Sequence, residues 1–157
     1  MKVTRLPRGR LPRVAVSVAA AMTVLFSGVG VAQADDIVVF TNYHTGRCID
    51  DSIEQGLRTF TCNGMDYQQW RVHRVNGLVA SLENVHTGRC IDYSEAVGLR
   101  SFPCNGTMYQ QWALDIGDEI WPAAPNPNPQ GLELDDSFEF GLRAFPGNNL
   151  DYQKWHH

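Results

Sequence analysis

Beyond residue 34 the apolar positions of this chain fall in short runs rather than in helical stripes. "IVVF" at 37–40 and "LVASLENV" at 78–85 are short and carry β-branched residues, the composition of strands. "WRVHRV" at 70–75 is joined to the second of these through Asn76-Gly77, a dipeptide that predicts a two-residue hairpin turn. "CID" at 48–50 and "GLRTFTC" at 56–62 flank a short polar connection and predict another hairpin. No convincing amphipathic helix is present, so the pattern is all-β.

The pattern also repeats. "DYQQW" at 66–70 returns as "MYQQW" at 108–112 and as "DYQKW" at 151–155. Segments beginning at Gly46, Gly88 and Gly131 align without a gap over 25 positions, and eleven of these are identical in all three. About four strands fall in each unit, with units at about 35–75, 76–117 and 118–157. The strand signals argue against a helical solenoid, and three units are too few for an ordinary propeller. The entry to the third unit departs from the others. "WPAAPNPNPQ" at 121–130 has four prolines where the others have "TNYHTG" or "ENVHTG". Proline cannot donate to a ladder, so an irregular or edge segment is expected there.

The cysteines follow the repeat. Cys48 and Cys62 stand at the same unit positions as Cys90 and Cys104, and the third unit loses both together, to Glu133 and Gly147. Joint loss is what a bridge within each unit predicts, hence Cys48–Cys62 and Cys90–Cys104. Each would close a loop of about 15 residues, worth about 3 kcal/mol in the chain-entropy account. A zinc site fits this spacing poorly.

Residues 1–34 are of a different kind. Five basic residues precede an apolar run, Val14 to Val31, and "AQA" ends at Ala34. These are the parts of a secretory signal peptide, with a membrane anchor as the competing reading of the run. Removing the leader takes five of the 13 basic residues and none of the 17 acidic ones, leaving eight against 17, a formal charge of −9 over residues 35–157. Such a surface repels phosphate backbones and anionic bilayers, which argues against nucleic acid and membrane partners. A secreted, monomeric protein of one domain, 35–157, is expected.

Three units of four strands, each closing on Q-x-W, with "CID" (in the third unit "ELD") about 20 residues upstream and, in the first two, a second Cys between, resemble the ricin B-chain type β-trefoil lectins over essentially the whole of 35–157. The resemblance implies a six-hairpin barrel and cap with pseudo-threefold symmetry, in which the Gln and Trp of the motif mainly lock the barrel. Trp70, Trp112 and Trp155 are therefore expected in the core. The final strand, ending two residues after Trp155, is expected to be short.

Strand alternation places candidate binding groups. If Cys48 bridges Cys62, then Asp50, Arg58 and Phe60 share the face of that bridge, while Ile49 and Leu57 point to the core. The constellation returns as Asp92, Arg100, Phe102 and as Asp135, Arg143, Phe145. A carboxylate accepts from sugar hydroxyls, a ring covers an apolar C–H face, and a guanidinium donates to oxygens. The resemblance implies sugar-binding roles for the Asp and aromatic positions. It also draws in the residues Tyr67-Gln68, Tyr109-Gln110 and Tyr152-Gln153. Two departures recur in every unit. Arg58, Arg100 and Arg143 stand where such lectins commonly have Gln, and Tyr67, Tyr109 and Tyr152 where they commonly have Asn. These departures count against ordinary galactose recognition and point to a different glycan, such as an acidic one reached by the guanidinium. The structural alternative is a cross-hairpin Asp–Arg pair beside a packing ring.

Other chemistry is thin. His44 and His86 recur in "HTGR" loops and read as loop structure, and His156-His157 has no acidic orienter in sequence. Asp50-Asp51 and Asp135-Asp136 are adjacent acids that alternation sends to opposite faces, unsuited to a glycosidase pair. The expectation is a carbohydrate-binding module, not an enzyme, with no cofactor and no metal. The rival is a protein-binding trefoil, such as a hydrolase inhibitor, presenting Pro122 to Pro129.

Overall fold

The computed structural model describes residues 36–114, 118–123 and 131–157. The expected signal peptide and most of the Pro-rich segment lie outside the described residues. Thirteen strands and three one-turn 3-10 helices make up the described chain. In order they are β1 (Asp36–Val38), β2 (Thr41–Asn42), β3 (Arg47–Ser52), β4 (Gly56–Thr61), β5 (Trp70–Asn76), β6 (Val79–Asn84) and β7 (Arg89–Ser94). They continue as β8 (Gly98–Pro103), β9 (Trp112–Leu114), β10 (Ile120–Pro122), β11 (Leu132–Ser137), β12 (Gly141–Pro146) and β13 (Trp155–His156).

Three equivalent hairpins, β3–β4, β7–β8 and β11–β12, form one layer, with identical registers. In each the strands turn on a glycine at positive φ, Gly56 at 70°, Gly98 at 83° and Gly141 at 67°, a conformation that a side chain would strain. The remaining strands close a ring. β1 pairs with β5, β5 with β6, β6 with β9, β9 with β10, and β13 with β2. A bridge from Glu119 to Lys154 links the third unit's first and last strands. This is the barrel and cap of a β-trefoil, with three units in a threefold arrangement.

The β5–β6 turn differs slightly from expectation. Asn76 pairs with Val79, so Gly77 and Leu78 make the turn, and the register shifts between Arg74 and Asn76. Gly77 supplies the positive φ, 44°, and the extra residue is absorbed as a bulge.

Trp70, Trp112 and Trp155 are fully buried at the centre with Phe40, Ile49, Leu82, Ile91, Ile120 and Leu134. Each indole N–H donates to a carbonyl of its own unit's first cap strand: Trp70 to Ile49 at 3.1 Å, Trp112 to Ile91 at 2.9 Å, and Trp155 to Leu134 at 3.0 Å. A large apolar body is thus buried without orphaning its polar edge. The motif glutamines act likewise. Gln68, Gln110 and Gln153 are buried; their Oε1 atoms accept from the amides of Asn63, Asn105 and Asn148, and their Nε2 atoms donate to the carbonyls of Thr61, Pro103 and Pro146. Gln and Trp therefore bind the 3-10 turn to the cap from two sides.

Both disulfides join the expected partners, Cys48–Cys62 and Cys90–Cys104, with Cα atoms 5.1 and 5.0 Å apart. In the third unit the Glu133 carboxyl fills the equivalent gap. A Cβ on Gly147 would lie 2.5 Å from Glu133 Oε1, so the glycine leaves room for the acid. Burial pushes the Glu133 carboxyl above its ordinary range, and the charges of Glu119 and Asp135 push the same way.

A further set of buried charges joins the units. Asp51, fully buried, receives Arg89 from the next unit, and Asp136, also fully buried, receives Arg47. Thr87 and Thr45 donate to the same carboxylates. Adjacent acids thus do face opposite ways: Asp50 and Asp135 toward the hairpin's outer face, Asp51 and Asp136 into the unit boundaries.

The short final strand is held rather than loose. His156 pairs with Thr41 and stacks on Tyr43 at 3.7 Å, while Tyr43 donates to Asp118 at 2.7 Å.

Candidate functional site

The cap registers set Asp50 directly opposite Arg58, Asp92 opposite Arg100 and Asp135 opposite Arg143. Directly opposed side chains meet, so each Arg Nε donates to the Oδ1 of its acid, at 3.1, 2.9 and 2.8 Å respectively. The acids are almost wholly buried, and the arginines are about one-third exposed at their side chains. Two residues along each return strand lies the ring. The guanidinium carbon stands 4.5 Å from the centroid of Phe60, 4.3 Å from Phe102 and 4.0 Å from Phe145. Acid, cation and ring therefore form one ladder on the outer face of each hairpin, with the acid at the floor and the ring at the rim.

The tyrosines and glutamines flank this ladder differently. In the first unit Gln68 Nε2 lies 3.2 Å from Asp50 Oδ2, so the buried amide orients the carboxylate from behind. Tyr67 packs its ring against His86 of the next unit at 3.9 Å, and Tyr152 against His44 at 3.9 Å. Tyr109 is about half exposed. His86 is fixed in turn by Asp66 at 3.1 Å.

The third unit carries an open groove beside its ladder. This groove, of about 340 Å³, is bounded by Asp135, Arg143 and Tyr152 together with Phe138, Phe140 and Asn148. The last three are not singled out by the sequence reading. The signal for the two rings was available in the aligned turns, which read "SIEQ", "SEAV" and "SFEF". Among the described residues no group of three or more His, Cys, Asp or Glu side chains is placed to hold a metal ion.

The ladder offers hydroxyl acceptors, guanidinium donors and a half-exposed aromatic ring within one residue pair of each other. The Ricin-type beta-trefoil lectin domain model matches residues 36–155. The chain belongs to the ricin-type β-trefoil lectin family. Its fold is shared by ThreeFoil, a designed threefold-symmetric protein, at 20% identity and a TM-score of 0.63, covering 76% of this chain and 95% of that one. The β-trefoil lectin of the Vibrio vulnificus hemolysin/cytolysin, solved with N-acetyl-D-lactosamine bound, is similar at 17% identity and a TM-score of 0.65, covering 79% and 94%. A non-toxic homologue of type II RIPs from Momordica charantia, solved with α-methyl-D-galactoside, matches at 13% identity and a TM-score of 0.62, covering 78% of this chain and 48% of that one. No curated protein matches the chain by sequence.

Proposed function

We propose that this lectin-family chain is an exported, non-enzymatic carbohydrate-binding module whose sugar sites are the outer faces of the three cap hairpins. The observation that carries this reading is the same buried-acid, guanidinium and exposed-ring ladder in all three units. Membership of a lectin family supports it. The buried carboxylates Asp50, Asp92 and Asp135 would accept from sugar hydroxyls, the arginines would donate to ring or hydroxyl oxygens, and Phe60, Phe102 and Phe145 would border an apolar sugar face.

Every site guanidinium is already neutralised by a buried acid, and residues 35–157 are strongly acidic as a whole. Both facts favour a neutral glycan over the acidic one that the arginines alone suggest. Individual sites of this open kind bind weakly, and three of them on one rigid body would gain by multivalent engagement of a polymer.

The test is a glycan array and polysaccharide pull-down with residues 35–157, repeated with the Asp50→Asn, Asp92→Asn, Asp135→Asn triple variant after its melting curve has shown a folded protein. Binding to neutral glycans that the triple variant loses is the expected result. Binding that survives it moves the sites elsewhere, and an array with no response rejects the carbohydrate reading.

A further inference from the structure

The third hairpin is not a copy of the other two. Its turn between β11 and β12 carries Phe138 and Phe140, 69% and 61% exposed, where the first unit has Ile53 and Gln55 and the second Glu95 and Val97. Large apolar side chains exposed together in one patch commonly mark a binding surface. Here they wall a groove of about 340 Å³, within the size range of small-molecule sites.

These rings are held in place. Arg143 lies between Phe140 at 4.7 Å and Phe145 at 4.0 Å, so its cation fixes two rings at once. Phe138 has the Arg47 guanidinium 5.3 Å from its centroid and the edge of His44 at 6.2 Å. His44 rests in turn on Tyr152, another wall of the groove, at 3.9 Å. Arg47 itself is anchored on buried Asp136. The groove is thus assembled by the third unit and reinforced by the first, and rings set before a ligand arrives reduce the ordering cost of binding.

The lining is polar in part, with Asp135, Glu139, Arg143 and Asn148, and apolar in part, with Phe138, Phe140, Leu150 and the ring of Tyr152. An unsubstituted hexose has one apolar C–H face and hydroxyls elsewhere, so it would leave most of the apolar lining wet. A sugar with an acetamido group brings a methyl for the rings, an N–H donor for a carboxylate and a carbonyl acceptor for a guanidinium. Resting on the carbohydrate reading above, we propose that the third-unit groove selects a 2-acetamido hexose over the corresponding unsubstituted hexose, and that the hairpins of the first and second units do not.

One methyl settled in an apolar pocket is worth about tenfold or more in affinity. The experiment is a titration of the 35–157 protein, by calorimetry and by amide NMR, with methyl 2-acetamido-2-deoxyglucoside and -galactoside against the plain methyl glucoside and galactoside. A preference of about tenfold for the acetamido sugars, with shifts centred on residues 135–152, is expected. The Phe138→Ala, Phe140→Ala double variant, both rings being exposed and its folding checked by the same NMR spectrum, should reduce that preference to about twofold or less. Equal affinity for both sugar classes, or a preference that survives the double variant, overturns the proposal. So does the absence of acetamido-sugar binding in a protein whose glycan array shows other neutral sugars, a result that leaves the carbohydrate reading standing.

Discussion

Arg89 crosses the boundary between the first and second units to hold Asp51 in a two-pronged grip, Nη2 to Oδ1 at 2.6 Å and Nε to Oδ2 at 3.0 Å, with the carboxylate fully buried. The same arginine donates to the Ser52 carbonyl at 2.8 Å, and Thr87 adds a bond to the acid at 2.5 Å. Asp136 and Arg47 repeat the clasp between the third unit and the first, with Thr59 also donating to Asp136 at 2.6 Å. At the remaining boundary the equivalent positions are Tyr93 and Leu132, so acid and base are exchanged together for uncharged side chains. Burying a charge pair is tolerated only when both members are present and well bonded.

Breaking one member should therefore be costly. Arg89→Leu leaves Asp51 buried without its cation, and a loss of about 3–5 kcal/mol is expected in a denaturant titration. The Asp51→Tyr, Arg89→Leu double variant copies the pattern of the third boundary and should recover most of that loss. If the double variant is as unstable as the single, the clasp is not a separable unit.

The clasp was within reach of the sequence. The cysteines were paired by their joint absence from the third unit, and the Asp51/Arg89 and Asp136/Arg47 positions show joint replacement in the same way. The register of the cap hairpins could be read because it rests on short-range alternation repeated three times, the disulfides because the third unit lacks both partners, and the buried tryptophans through the resemblance to the trefoil lectins. Which arginine reaches which unit could not, because that pairing joins residues 38 and 89 positions apart and depends on barrel closure. The rings Phe138 and Phe140 escape for another reason. Comparison of units draws attention to what recurs, whereas these two residues are what one unit does alone.

Glu133 gives a pH-dependent prediction. Its folded carboxyl titrates above its ordinary value of 4.5 because of burial and its acidic neighbours. Between 4.5 and that raised value the native state holds more protons than the unfolded chain, so stability falls as pH rises. Glu133→Gln should leave stability unchanged well below pH 4.5 and increase it at neutral pH, as followed by melting temperature across pH. A variant less stable than the parent at neutral pH contradicts this assignment of Glu133.

The same site should accept a bridge. Glu133→Cys with Gly147→Cys restores the cysteine pattern of the other units, where the Cα atoms stand 5.1 and 5.0 Å apart. A third disulfide, seen by mass spectrometry under non-reducing conditions, should add up to about 3 kcal/mol in the chain-entropy account. Two persistent free thiols in the oxidised double variant would show that the third hairpin does not superpose on the others.

Trp112 tests the barrel lock. Trp112→Phe removes an indole N–H that donates to Ile91 at 2.9 Å and leaves that buried carbonyl without this donor. Lost packing and an unsatisfied acceptor together should cost about 2–4 kcal/mol, read from chemical denaturation. A cost below about 0.5 kcal/mol would mean that the hydrogen bond and the packing are replaceable.

The most direct measurement is an amide and side-chain NMR titration of the 35–157 protein with the best neutral glycan found on an array, following the Arg58, Arg100 and Arg143 Nε–H signals. Shifts at these groups and at Phe60, Phe102 or Phe145, saturating with ligand, are the expected result. Saturable shifts confined to the barrel strands or the β5–β6 turn, with the arginine signals unmoved, would contradict it.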